Sequence, residues 1–365
     1  MEKKNGLFCY LVFAMWVVVA FVAGPAHAEV RYTLTDLGTM GGTHSAAAGI
    51  NNAGQVVGHT YDANWAVRHG FLWQNGTMTD LGTLFGGKYS RAYAINNVGQ
   101  VVGDSWTYFT NPNLLTVHAF LWKNGVMTDI GPGGRAGKSS SGACAINDAG
   151  QAVGTVKFWS GPYTHAYILS GQYAGTNLGN WYGISGHSSA TSINNAGQVV
   201  GSSNLPNDTS VQHAVLWNGL EGMTDLGVLP GSTLSRSTIS EARCINNAGQ
   251  VVGSAVDALG TTHAILWADG TMNDLATLPG VTRSSAYGIN NVGQIVGFAG
   301  SIPGANNNIA VLWDGGVMID LNSLIAPGSS LKLVDANAIN DMGQIVGVGT
   351  IGDKSHAFLL TPVVQ

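Results

Sequence analysis

Apolar and polar positions along this chain follow one short pattern that returns seven times. Its core reads INNAGQVVG at 50–58, INNVGQVVG at 95–103, INDAGQAVG at 146–154, INNAGQVVG at 193–201 and 245–253, INNVGQIVG at 289–297 and INDMGQIVG at 339–347. Ahead of each Ile stands S-x-A-x-x-I, with Val334 in place of Ser in the last copy. After each comes H-A-F-L-W or a variant, starting at His69, His118, His165, His213, His263, Ile309 and His356, and then, in all but the last copy, a relative of T-D-L-G. The Ile-to-Ile spacing of 44 to 52 residues is the period of a repeat architecture.

Each unit predicts four short strands, S-x-A-x-x-I, Q-V-V-G, H-A-F-L-W and M-x-D-L-G. N-N-x-G joins the first two and N-G or D-G commonly joins the last two, residues that tolerate positive φ and close hairpins. In H-A-F-L-W the His, Phe and Trp share one face and Ala and Leu the other, so both faces of the sheet need cover and neighbouring sheets must supply it. The segment YTLTDLG (32–38) is a fourth strand without its first three, and HAFLL (356–360) is a third strand without its fourth. The two fragments make one unit. The expectation is an all-β chain, a closed seven-bladed β-propeller of four-stranded antiparallel blades, with the N-terminal strand completing the last blade.

The H-A-F-L-W segments, with D-L-G and S-x-A-x-x-I-N-N-x-G-Q-V-V-G, resemble the bacterial HAF-repeat proteins, described as probable extracellular repeats. The resemblance implies export and a repeated β architecture, and little about function.

Lys3 and Lys4, an apolar run from Leu7 to Ala23 and Ala26-His27-Ala28 form the pattern of a cleavable secretory signal, so residues 1–28 are expected to be a signal peptide and 29–365 one propeller domain. A retained membrane anchor is the alternative reading of that run. The destination is then secreted, extracellular or periplasmic, with no stable membrane span after cleavage. The formal charge is −5 and only 10% of residues are charged, which leaves no basic footprint for nucleic acid. A monomer is expected. Three cysteines occur; Cys9 falls in the signal, and Cys144 and Cys244 hold different places in units that are not neighbours, so no disulfide is expected between them. No cofactor motif or metal-ligand spacing is present.

Every unit offers a Ser, a His and an Asp, which invites a hydrolase triad such as Ser90, His69 and Asp80. A set present all round a ring reads instead as a packing device, because a catalytic site needs one constellation in one place. His and Ser are lost consecutively, at Ile309 and Val334, which suggests that each His bonds the Ser of the following unit: His69 with Ser90, His118 with Ser141, His165 with Ser188, His213 with Ser240, His263 with Ser284, and His356 with Ser45.

Function is expected on the face of variable loops. Between the strand-two Gly and the His position these hold 10, 14, 10, 11, 9, 11 and 8 residues. Trp65, Trp106, Tyr108, Phe109, Trp159, Tyr163, Trp181 and Tyr182 gather in the loops of units 1 to 4 and are the expected ligand-binding residues, suited to the apolar faces and hydroxyls of a glycan or to a protein partner. Three readings stay open: a secreted binding module for a glycan, cell-wall polymer or protein partner; a secreted hydrolase of esterase or lactonase type with a site at the ring centre; and a structural or adhesive surface protein. His44, His59, Asp62, Asp104 and His187 are the candidate catalytic residues of the second reading.

Overall fold

The structure, a computed structural model, describes residues 31–62, 68–108, 115–132, 139–171, 174–180, 185–205, 208–219, 222–232, 240–275, 277–301 and 307–363. Among the described residues there are twenty-eight strands and no α-helix; Leu84–Gly86 and Leu321–Leu324 are 3-10 turns. The expected signal segment, 1–28, lies outside the described residues. Among those described, no helix is long and apolar enough to cross a membrane.

The strands form antiparallel meanders of four that coincide with the sequence repeats. Unit 1 runs from an inner strand, His44–Ile50, through Val56–Tyr61 and Arg68–Gln74 to an outer strand, Thr77–Asp80. The last meander takes its outer strand from the other end of the chain: Arg31–Gly38 pairs antiparallel with Lys354–Val363, setting Arg31 opposite Val363. That pairing is the one expected, but the grouping of the strands corrects the expectation of seven separate blades. Hydrogen bonds group the meanders into six sheets, five of four strands and one of eight. The eight-stranded sheet arises because units 1 and 2 are joined by one parallel bridge between Arg68 and Tyr89, where the Arg68 amide donates to the Lys88 carbonyl.

The invariant Asn explains why the repeat is spelled I-N-N-x-G-Q. Its Oδ1 caps its own turn; in unit 1 the amides of Ala53 and Gln55 both donate to Asn51 Oδ1. Its Nδ2 does two further things, donating to the Gln55 side chain and to the main-chain carbonyl of the next unit's Asn. That second bond recurs from Asn51 to Asn96, Asn147, Asn194, Asn246, Asn290 and Asn340, and Asn340 returns to Asn51 at 2.9 Å. A second circuit lies beside it. The amide of each following residue donates to the side-chain oxygen of its counterpart, from Asn52 to Asn97, Asp148, Asn195, Asn247, Asn291, Asp341 and back to Asn52. At the two Asp positions burial opposes ionisation, but bonds from Asn97 and Asn195 to Asp148, and from Asn52 and Asn291 to Asp341, outweigh it and hold both carboxyls below their usual range.

Apolar residues fill the spaces between units. Leu37, Ala47, Val56, Phe71, Val346 and Ala357 form one cluster across units 7 and 1, and Val57, Leu81, Ala92, Ile95, Val101 and Phe120 another across units 1 and 2. The Gly of V-V-G is a steric requirement. A Cβ on Gly58 would lie 2.0 Å from the Ala46 carbonyl oxygen, and one on Gly103 1.8 Å from that of Arg91, because the inner strand bulges between the Ala and the second residue after it.

The His, Ser and Asp of the repeat are connected differently from the expected His–Ser pairs. His69, His118, His213, His263 and His356 place Nδ1 against the Asp of their own outer strand, Asp80, Asp129, Asp225, Asp274 and Asp36, at 2.6 to 3.0 Å. Asp36, Asp80, Asp129 and Asp225 also accept the amide of the Gly two residues on. The hydroxyls of Ser90, Ser141, Ser188, Ser240, Ser284 and Ser45 instead accept the main-chain amide of the residue after each His. The outer strand leaves this amide without a ladder partner, so the next unit supplies one. Where Asn177 replaces the Asp, His165 Nδ1 is buried with no hydrogen bond. Where Ile309 and Val334 replace His and Ser, Asp320 caps Asn322, and the Asn322 side chain bonds both main-chain groups of Leu333. The Ser90–His69–Asp80 triad is therefore not assembled: Ser90 Oγ lies between the Gly70 amide and the Gly82 carbonyl.

Asn147→Ala removes two donor bonds and the Gln151 amide bond from a buried site. It is expected to lower unfolding stability by about 3 kcal/mol, whereas Asn97→Ala, on the exposed circuit, is expected to cost less than about 1 kcal/mol. Denaturant midpoints of the two variants check this order.

Candidate functional site

The bulge in the inner strand decides what faces the axis. In a regular strand, successive side chains alternate. Here both residues between the repeat Ala and Ile line a central cavity in all seven units. The second of these is small everywhere: Gly49, Ala94, Ala145, Ser192, Cys244, Gly288 and Ala338. The first differs from unit to unit: Ala48, Tyr93, Cys144, Thr191, Arg243, Tyr287 and Asn337. Together with Arg91, Asp104, Thr155 and Asp335 they enclose about 750 Å³. One end meets the Asn circuits, which line a smaller space of about 240 Å³. Cys144 and Cys244, expected to sit differently, both face this cavity through the bulge, and both are free thiols.

Two charged walls are built into the cavity. On unit 2, Arg91 binds Asp104 side-on, with Nε 3.0 Å from Oδ1 and Nη2 against Oδ2; the Tyr93 hydroxyl donates to the same carboxylate at 3.2 Å. The guanidinium lies 5.2 Å from the Tyr93 ring centre and 5.8 Å from that of Trp106. Across units 5 to 7, Arg243 pairs with Glu241 at 3.0 Å and lies over Tyr287 at 5.4 Å. Burial raises the Asp335 carboxyl above its ordinary range, opposed by a bond from Asn308 and the charge of Arg283.

Burial also acts on a thiol and two phenols of the lining. It pushes the Cys144 thiol up to about 11, aided by Asp104. It pushes Tyr287 up to about 12, aided by Asp335, and lifts Tyr93 further still, again with Asp104 contributing. At neutral pH the cavity thus offers thiols that are poor nucleophiles and phenols that donate hydrogen bonds.

The candidate residues divide. Asp104 and His59 come together with Arg91 beside the cavity. His59 follows V-V-G in unit 1, and burial, then the charges of Arg68 and Arg91, press its ring down to about 3. His44 and His187 each precede a repeat Ser and join neighbouring units, accepting the amides of Ser355 and Thr164. Asp62 follows the strand Val56–Tyr61, and its carbonyl accepts from the Thr43 hydroxyl. Of the loop aromatics, Trp65, Phe109, Trp181 and Tyr182 lie outside the described residues, and Tyr108 is described only as strand backbone. Trp106 packs on Tyr89 and Arg91, Tyr163 sits edge-on to His187, and Trp159 is 51% exposed on a turn. Sequence reasoning missed Arg91, Tyr93, Arg243, Tyr287, Asp335 and Asn337. The signal was there, in the x positions of S-x-A-x-x-I, the places where the repeat does not repeat.

Residues 89–218 match the model of a family described as "Protein of unknown function (DUF3466)". The match opens at the inner strand of unit 2 and closes at the end of the third strand of unit 4, and it corrects the expected HAF-repeat membership. No curated protein matches the chain. Among solved structures, the β-propeller domain of the trilobed protease from Pyrococcus furiosus is similar at 10% identity, covering 62% of this chain and 66% of that one with a TM-score of 0.42. A puromycin-hydrolyzing peptidase of Mycobacterium tuberculosis aligns at 11% identity over 88% of this chain and 53% of its own, TM-score 0.49. The chain thus spans just under two thirds of the first and about half of the second. A six-bladed β-propeller lectin of Aleuria aurantia aligns at 10% identity over 93% and 97%, TM-score 0.37.

His59 supplies a pH test. Its folded value of about 3 lies below the ordinary 6.5, so the unfolded chain binds the extra proton between them. The stability tied to the neutral ring is full above about pH 6.5 and is lost as pH falls toward 3. In His59→Gln the acid-side decline of unfolding stability is expected to flatten by up to about 1.4 kcal/mol per pH unit. Denaturant unfolding between pH 4 and 7 reads the difference; parallel curves would place the ring in an ordinary solvated setting.

Proposed function

We propose that this chain is an exported, closed seven-bladed β-propeller, residues 29–365 after a signal at 1–28, that binds a small hydroxyl-rich extracellular ligand in its central cavity. The two Asn circuits and the pairing of Arg31–Gly38 with Lys354–Val363 support the closed ring. The observation that carries the ligand reading is the convergence of the non-repeating residues on one cavity of small-ligand size. A scaffold constrained everywhere else has its freedom there. Tyr93 and Tyr287 offer ring faces for the C–H surfaces of a sugar, and Arg91, Asp104, Thr191, Arg243 and Asn337 offer donors and acceptors for its hydroxyls. The loop aromatics are then accessory to the entrance.

A hydrolase acting from the same cavity is the second reading, favoured by the raised carboxyl of Asp335, which suits a general acid. It predicts turnover that Asp335→Asn abolishes.

Binding of residues 29–365 to an array of neutral and acidic glycans tests the first reading. Arg243→Ala/Tyr287→Ala is expected to weaken binding at least tenfold while unfolding at a midpoint near the parent's, and Trp159→Ala to bind as the parent does. The opposite result, loss with Trp159→Ala alone, would move the site to the loops.

A further inference from the structure

Arg91 and Arg68 are near neighbours in different circumstances. Arg91 spends its Nε edge on Asp104, a side-on carboxylate bond of the strongest ordinary kind. Arg68 stands across the unit boundary, opposite Tyr61 on the adjacent strand, with its guanidinium 4.3 Å from the centre of that ring. Its Nε is buried and has no hydrogen-bond partner, and among the described residues no carboxylate pairs with it. His59 completes the arrangement. It lies two residues before Tyr61 with the rings edge-to-face at 5.3 Å, and its Nδ1 is likewise buried and unpartnered.

Two orphaned polar atoms so close together call for an occupant, because each costs about 1–3 kcal/mol when left unpaired. The charges indicate its sign. Asp104 balances Arg91, which leaves the Arg68 guanidinium unmatched beside a ring that the two arginines and burial keep neutral. A neutral imidazole can still donate one N–H. The unused edge of a guanidinium fits the two oxygens of a planar carboxylate side-on, as Asp104 demonstrates one residue pair away.

We propose that Arg68 and His59, with the field of Arg91, form a subsite for the carboxylate of the ligand, and that the ligand is an acidic sugar or oligosaccharide of the uronic-acid type. This rests on the cavity reading above: Arg91, Tyr93 and Asp104 line the cavity, so a sugar lying on Tyr93 would direct its carboxylate past Arg91 toward the boundary of units 1 and 2. The eight-stranded sheet has a reason here, since the Arg68–Tyr89 bridge fixes the spacing of the two units that share the subsite.

The test is direct titration of the parent protein with uronic-acid oligosaccharides and with the same oligosaccharides after reduction of every carboxyl to an alcohol. The acid forms are expected to bind at least tenfold more tightly than the reduced forms. Arg68→Gln should erase that preference, bringing the acid forms to the affinity of the reduced forms, and Arg68→Lys, which keeps the charge without the side-on edge, should restore only part of it. His59→Gln is the second variant, expected to lower the preference three- to tenfold. Sulfated oligosaccharides lacking carboxylate are expected to gain less than threefold over their neutral parents. Equal affinity for acid and reduced forms, a preference untouched by Arg68→Gln, or an equal gain from sulfate would each overturn the assignment. If only neutral glycans bind, the carboxylate subsite fails and the cavity reading stands. If no glycan binds at all, both fail together.

Discussion

A side-chain amide that donates to the carbonyl of the next unit, seven times over and back to its start, governs the rest of the molecule. Each Asn of the inner circuit also caps its own hairpin turn and holds the Gln that follows, so turn geometry and unit-to-unit spacing are one constraint. The inner strands are thereby set at a fixed distance around the axis. The Ala residues beside them, Ala47, Ala92 and Ala143 among others, are fully buried, and the apolar clusters between sheets can be thin and regular. The hydrogen bonds of the circuit are individually modest; their value lies in being geometrically coupled and buried.

Away from the axis a second device works on the same principle. The end of each outer strand opens one ladder position, and a Ser from the neighbouring unit fills it. The His–Asp pair beside it tightens the turn into D-L-G, and its absence in unit 3 costs a buried, unpartnered imidazole nitrogen rather than the fold. The unit 6 to 7 junction shows that Ser is one solution among others, since Asn322 reaches the inner strand by a different route.

How much of this could be read from the chain follows from which contacts are local. N-N-x-G was legible as a hairpin because its capping bonds span two to four residues. Its role in the circuits was not, because those bonds join residues 44 to 52 apart along the chain, and closing the circuit spans 289. The His–Ser pairing failed for a similar reason. Two side chains lost together do belong to one junction, but each meets a third group, an Asp in one case and a main-chain amide in the other. The bulge defeated the strand-alternation rule for Cys144 and Cys244. The cavity residues were hidden because Tyr93, Arg243 and Tyr287 stand at positions where the units differ, while the repeat is defined by the positions they share.

The pairing of Arg31–Gly38 with Lys354–Val363 carries a mechanical consequence. Because Arg31 lies opposite Val363, both ends of the described chain leave from the same point on the same edge. Tension applied between them acts across the strands and opens the ladder one rung at a time, like a zipper, instead of loading all its rungs in shear. A molecule tethered at both ends would therefore yield first at this seam under small force, releasing the outer strand of one sheet while the inner circuits stay intact.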